Sequence, residues 1–178
     1  YALSGTATVS DQETNYWGAD KAIDGIVNRD AAKADQSRWA TNQSTSQAAR
    51  TLTVNLGTQK TFDHFVIEWE RTNITNFKIS VCDTEDGEYR DVYVKNDGEN
   101  ITSVTSDIQL DEAVTAQYVK LTVNGYTVNP GSWQSVSLYE FEILGEAENL
   151  STAATATADG SETTGTDASK AVDGDDTT

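Results

Sequence analysis

Thr51-Leu52-Thr53-Val54-Asn55-Leu56-Gly57 is the stretch that decides the fold class. Leu52, Val54 and Leu56 alternate with Thr51, Thr53 and Asn55 until Gly57 ends the run. Side chains of an extended chain point alternately to opposite faces, so this period of two gives one apolar and one polar face and reads as a half-buried strand. Further short strands follow from the same pattern at Phe62 to Glu70, Phe77 to Val81, Tyr89 to Val94, Ile108 with Leu110, Tyr118 to Val123, and Ser135 to Leu144. The Glu85-Asp86-Gly87 turn precedes the fourth of the seven. No segment keeps a helical period for more than a turn or two. The expected fold is therefore all-β, an antiparallel β-sandwich with a core of aromatic and β-branched residues.

Upstream of these strands stands Lys21-Ala22-Ile23-Asp24-Gly25, and a close copy returns as Lys170-Ala171-Val172-Asp173-Gly174. The likeness reaches back to Ala2-Leu3-Ser4, echoed by Asn149-Leu150-Ser151. Self-similarity of this extent marks a repeated unit. The expectation is one whole domain over residues 1–146, followed over 147–178 by a linker and the truncated start of a second, similar module. The tail is dominated by Ser, Thr, Ala, Gly and Asp, with only Leu150 and Val172 as anchors, and the chain reads as a piece of a longer polypeptide.

Charge narrows the partners. With 29 Asp plus Glu against 12 Lys plus Arg, the chain carries a net charge of −17. Nucleic acid and anionic membrane surfaces call for basic patches, so neither is expected as a partner. Carboxylates in this number suit solubility and calcium. Cys82 is the single cysteine and excludes an internal disulfide; it reads as an inert small hydrophobe. His64 is the single histidine and reads as a strand-face residue rather than a ligand.

Two kinds of loop carry candidate chemistry. Between Lys21 and Trp39, the side chains of Asp24, Asn28, Asp30 and Asp35 line a glycine-containing loop that closes at Ser37-Arg38-Trp39. Calcium takes six to eight oxygens, which such a loop can provide, but the spacing is not that of an EF-hand. A solvated acidic loop with an N-capping Asp fits equally. A sugar-binding site needs an exposed aromatic ring beside hydrogen-bonding groups. Trp69-Glu70-Arg71-Thr72-Asn73 offers a ring, a carboxylate, a guanidinium and an amide at a strand end. The loop from Gly125 through Tyr126 to Trp133 offers two rings on a segment stiffened by Pro130 and Gly131. Tyr16-Trp17 and Asn42-Gln43-Ser44 are candidate walls. Against these stand blander readings: Trp39 as core, Trp69 as either core or platform, Trp17 as either, and Glu70 with Arg71 as a surface ion pair. Asn42, Asn73, Asn100 and Asn149 begin Asn-x-Ser/Thr sequences, acceptors only in a eukaryotic secretory route.

Several motifs stand together in order: Lys21 to Gly25, Ser37-Arg38-Trp39, Leu52 to Gly57, and Trp69-Glu70 leading to Asn76-Phe77-Lys78-Ile79. Asp86-Gly87-Glu88-Tyr89, Tyr118 to Leu121 and Ser137-Leu138-Tyr139-Glu140-Phe141-Glu142-Ile143 follow. In this order they resemble the discoidin, or coagulation factor 5/8 type C, domain, and within it carbohydrate-binding modules of family 32. The resemblance implies an eight-stranded, jelly-roll-like sandwich with one structural Ca2+ and a sugar site in loops at one end. For the metal it implies the backbone carbonyls of Lys21 and Tyr139, the side chains of Asp24 and Glu140, and Ser37. Asn28, Asp30 and Asp35 compete for the middle place, because the loop from Asp24 to Trp39 is longer than usual for the family. For the sugar it implies Trp69, Glu70, Arg71, Asn73, Tyr126 and Trp133. The role implied is non-catalytic: a secreted, extracellular or surface-attached monomer that holds a parent glycoside hydrolase and neighbouring modules against a glycan. Trp69-Glu70 with Trp133 leans toward a β-linked gluco-configured or N-acetylglucosamine-containing oligosaccharide, with galactose-type glycans or an adhesion domain for protein or lipid as alternatives. Glycosidase chemistry needs two carboxylates across a cleft. Glu68 and Glu70 share one strand face, and a small sandwich offers a shallow loop site.

Overall fold

The computed structural model describes residues 1–43, 48–127, 134–145, 155–160 and 168–172. Two compact units are present, Tyr1–Gly145 and Glu146–Thr178. The first contains seven strands among the described residues: β1 (Thr6–Val9), β2 (Trp39–Ala40), β3 (Arg50–Trp69), β4 (Ile74–Cys82), β5 (Arg90–Lys95), β6 (Thr105–Tyr126) and β7 (Ser137–Leu144). Every pairing is antiparallel.

Two long strands make both layers. The first half of β3 lies between β1 and the second half of β6, which continues to β4 and β5. The second half of β3 lies between β7 and the first half of β6, and β7 continues to β2. The sequence predicts separate strands on either side of Gly57, and again on either side of the segment after Leu110. The structure joins each pair. Gly57 has φ 80°, a left-handed conformation that a residue with Cβ rarely adopts, and the β3–β6 register slips between Asn55 and Lys60. The chain bends at this point without losing its partner strand, as at a bulge.

The core lies between the layers. Leu52, Val54 and Leu56 face inward from one half of β3, and Phe65, Ile67 and Trp69 from the other. Phe77, Ile79 and Val81 of β4, Val119, Leu121 and Val123 of β6, and Phe141 and Ile143 of β7 complete it. Trp69 of one layer meets Phe77 of the other edge-on, with ring centroids 5.4 Å apart, while Phe65 stacks on Phe141 at 6.0 Å. The second unit has a short 3-10 turn at Ala168–Ala171, the positions equivalent to Ala19–Ala22 in the first. Val172 N donates to Ser169 O at 3.2 Å, as Ile23 N donates to Asp20 O at 3.4 Å. The two sequence copies thus take the same local turn.

Since Phe65 contacts both Phe62 and Phe141 and is wholly buried, Phe65→Ala is expected to cost about 3–5 kcal/mol in urea unfolding. A loss below about 1 kcal/mol would show that the two layers do not close on this ring.

Candidate functional site

The loop after the first 3-10 turns runs from Asp24 to Arg38 and is fastened at both ends. Gly25 has φ 76°, and its N–H donates to Glu140 Oε2 at 2.9 Å; Ser37 Oγ donates to Asp24 Oδ2. Lys21 Nζ lies 3.6 Å from the same Asp24 oxygen. Asn28 ties the loop internally, its Oδ1 accepting from Ser37 N at 2.8 Å and its Nδ2 donating to Asp35 O at 2.9 Å. The sequence copy Lys21 to Gly25 and the β7 residue Glu140 are therefore neighbours. Asp30 and Asp35 are exposed, and Asp35 enters this bonding through its carbonyl. Among the described residues no group of three or more Asp, Glu, His or Cys side chains gathers as a metal site. Glu140 is buried and its Oε1 has no partner among the described residues. Burial, and then nearby Asp24, push its carboxyl up to about 7 against the Gly25 hydrogen bond.

One residue further along, at the end of the sandwich, lies a second arrangement. Arg38 is only 2% exposed. Its guanidinium sits 4.0 Å over the Trp17 ring, donates to Ser137 Oγ at 3.1 Å and lies 3.4 Å from Glu70 Oε2. Glu70, whose side chain is 14% exposed, also faces Arg71 Nη2 at 3.6 Å through its other oxygen. Beside it Arg29 binds Glu68 and the Trp69 carbonyl and covers the Tyr139 ring at 4.7 Å, and burial pushes the Tyr139 hydroxyl up. Thr14, Tyr16, Trp17, Lys33 and Ala34 line a mainly apolar cavity of about 450 Å3, and Tyr16 is 81% exposed. The Thr14 hydroxyl caps this short turn by accepting from Tyr16 N. Trp17 belongs to both the cavity and the Arg38 cluster, so the two are contiguous.

The structure corrects two of the expected sugar-facing residues. Trp69 is fully buried, its Nε1 donating to Ser106 Oγ at 2.9 Å, because Phe65, Ile67 and Trp69 share the inward parity of β3. Tyr126 is likewise buried; slips in the β4–β6 register beside Gly125 turn it inward. Neither ring is available as a platform. Glu70 and Arg71 do come together. Asn73 donates to Ser135 O at 3.3 Å and accepts from Thr127 N at 2.7 Å, so it fastens both ends of the following loop. Trp133 and Ser44 lie outside the described residues. Asn42 is exposed and holds Asp11 through its N and Nδ2. Trp39 is core, with Nε1 donating to Asp11 O at 2.9 Å. The sequence reading missed Arg38 and Arg29. The available signal was an Arg placed between Ser37 and an inward-facing Trp39, where a charge must find partners.

The two-layer antiparallel topology is that of a discoidin-type module. The chain belongs to the F5/8 type C domain family, whose model matches residues 6–140. Among solved structures it is similar to chitosan-binding module 1 of a Paenibacillus sp. IK-5 chitosanase/glucanase, at 27% identity over 81% of this chain and 97% of that one, TM-score 0.65. It shares its fold with the family 32 carbohydrate-binding module of C. perfringens NanJ in complex with galactose, at 23% identity over 79% and 93%, TM-score 0.59. It also shares its fold with part of a Ruminococcus gnavus GH29 fucosidase in complex with fucose, at 17% identity over 83% of this chain and 26% of that one, TM-score 0.63. No curated protein sequence matches it.

Breaking the Arg38 clamp leaves Glu70 without a buried counter-charge. Arg38→Met is expected to lower the unfolding free energy by about 3 kcal/mol in denaturant titrations. A change below about 0.5 kcal/mol would mean that the clamp is not structural.

Proposed function

We propose that this domain is a non-catalytic carbohydrate-binding module, and that its glycan rests on Tyr16 beside Trp17 while Glu70 and Arg71 hold its hydroxyl groups. The observation that carries this is the contiguity of an exposed ring, an apolar cavity and a carboxylate–guanidinium pair, linked by Arg38. A pyranose has an apolar C–H face and a hydroxyl rim, and such a surface matches both. Trp133, outside the described residues, is assigned to the platform from its place in the sequence alone. Membership in the F5/8 type C family and likeness to a chitosan-binding module support carbohydrate binding as such. The ligand is a β-linked gluco-configured or N-acetylglucosamine-containing glycan. The module acts outside the cell as a monomer on a glycoside hydrolase, and further modules raise its avidity through effective concentration.

The expected outcome in calorimetric titration with a glycan selected from an array is binding without turnover. Tyr16→Ala, Glu70→Gln and Trp133→Ala should each weaken it by about tenfold, about 1.4 kcal/mol. Unchanged affinity in all three, with folding intact, would place the site elsewhere.

A structural Ca2+ belongs to the same proposal. The residues fit one: Glu140 offers a buried oxygen without a partner, Asp24 a second carboxylate, and Ser37 a hydroxyl, with the Lys21 and Tyr139 carbonyls completing the oxygen set. Asn28 is the middle residue closest to this bonding, whereas Asp30 and Asp35 stand exposed. Bound calcium would neutralise Glu140 and Asp24 and hold the Asp24–Ser37 loop closed. The sign of the pH effect follows from the raised Glu140 value of about 7. The metal-free fold favours the protonated group, so that contribution to stability is full below the ordinary carboxylate range and fades as pH rises through about 7. Calcium requires the deprotonated form. The rise in melting temperature between chelator and calcium should therefore be small at pH 5 and large at pH 8, and identical melting curves at pH 8 would contradict a calcium site.

A further inference from the structure

Resting on the glycan-binding reading above, we infer that the site selects neutral sugars and rejects protonated amino sugars, although the chain as a whole is strongly acidic. An ammonium-bearing sugar, such as a deacetylated glucosamine unit, needs a carboxylate with charge to spare. The buried and half-buried carboxylates of the Arg38 cluster are already compensated by arginine. Glu70 lies between two guanidiniums, with Arg38 at 3.4 Å from one oxygen and Arg71 at 3.6 Å from the other. Glu68 is paired with Arg29. Asp11 faces Arg50 at 3.6 Å and accepts two N–H groups of Asn42. Lys33 adds a cation to the Tyr16–Trp17 cavity.

The exposed acidic turn made by Asp83, Glu85, Asp86 and Glu88 lies at the opposite end. It follows Cys82, the last residue of β4, whereas β4 begins beside Asn73. The net charge of −17 thus acts here as a long-range field, while Glu70 itself is held by two guanidiniums. A third cation brought to Glu70 would meet two fixed guanidiniums. A hydroxyl or an acetamido N–H can donate to the same carboxylate without that repulsion, and the guanidinium N–H groups can donate to sugar oxygens in return.

The test is calorimetric titration of the full chain with tri-N-acetylchitotriose and with fully deacetylated chitotriose. It is run at pH 5.5, where the amines are protonated, in about 0.15 M salt to screen the distant field to about 8 Å. N-acetylgalactosamine against galactosamine serves as a second matched pair. The expected result is that the N-acetylated member of a pair binds at least about tenfold more tightly, and that Arg71→Gln narrows the gap by about threefold or more, as relief of one partly exposed charge contact would. Preferential binding of the deacetylated member, weakening with salt, would overturn the inference while leaving the glycan-binding proposal standing. Failure of every member of both pairs and of a broad neutral-glycan array would overturn the glycan-binding proposal itself.

Discussion

A guanidinium held away from water must find its compensation within the fold, and Arg38 imposes that requirement on this protein. Its partners come from three separate parts of the chain: Trp17 from the amino-terminal loops, Glu70 from the end of β3 and Ser137 from the start of β7. Ser137 Oγ in turn donates to the Trp39 carbonyl at 2.9 Å, so the clamp closes on the strand that carries Arg38. Satisfying this one charge brings together the aromatic and carboxylate groups of the proposed glycan surface.

The scaffold supplies the rigidity. Because β3 and β6 run through both layers, the position of Glu70 is fixed by pairing along the whole of β3 and by the Glu70 N–H donated to Ser137 O at 3.0 Å. The Asp24–Glu140 staple lies one residue away along the chain, since Ser37 binds Asp24 and Arg38 enters the clamp. Whatever holds the staple shut therefore also positions the guanidinium. The proposed surface sits in loops whose described ends at Gly25, Ser37 and Asn73 are tied to other parts of the fold.

Much of the fold was legible because period two is a direct consequence of strand geometry. Leu52, Val54 and Leu56 announced their own burial, and the pairing of Lys21–Gly25 with Glu140 was visible through family resemblance. The fate of Trp69 was also readable in principle, since Phe65, Ile67 and Trp69 share parity; a strand-end tryptophan beside Glu and Arg simply looks the same whether it faces core or solvent. Tyr126 was not readable, because its inward turn depends on register slips at Gly125 that pairing, not sequence, defines. The continuity of β3 through Gly57 was hidden for a related reason: a positive-φ glycine marks a corner as well as an end. Arg38 escaped because a single charged residue at an inward position reveals its partners only when distant strands meet.

Whether the Trp17–Arg38–Glu70 cluster with Tyr16 forms the glycan surface can be read from the indole N–H resonances of the tryptophans during an NMR titration with a bound glycan. Trp17 lies at the proposed surface, whereas Trp39 and Trp69 are buried with their Nε1 groups donating to Asp11 O and Ser106 Oγ. The Trp17 signal is expected to move on saturation while those of Trp39 and Trp69 stay in place. A static Trp17 signal in the presence of saturating glycan would contradict it.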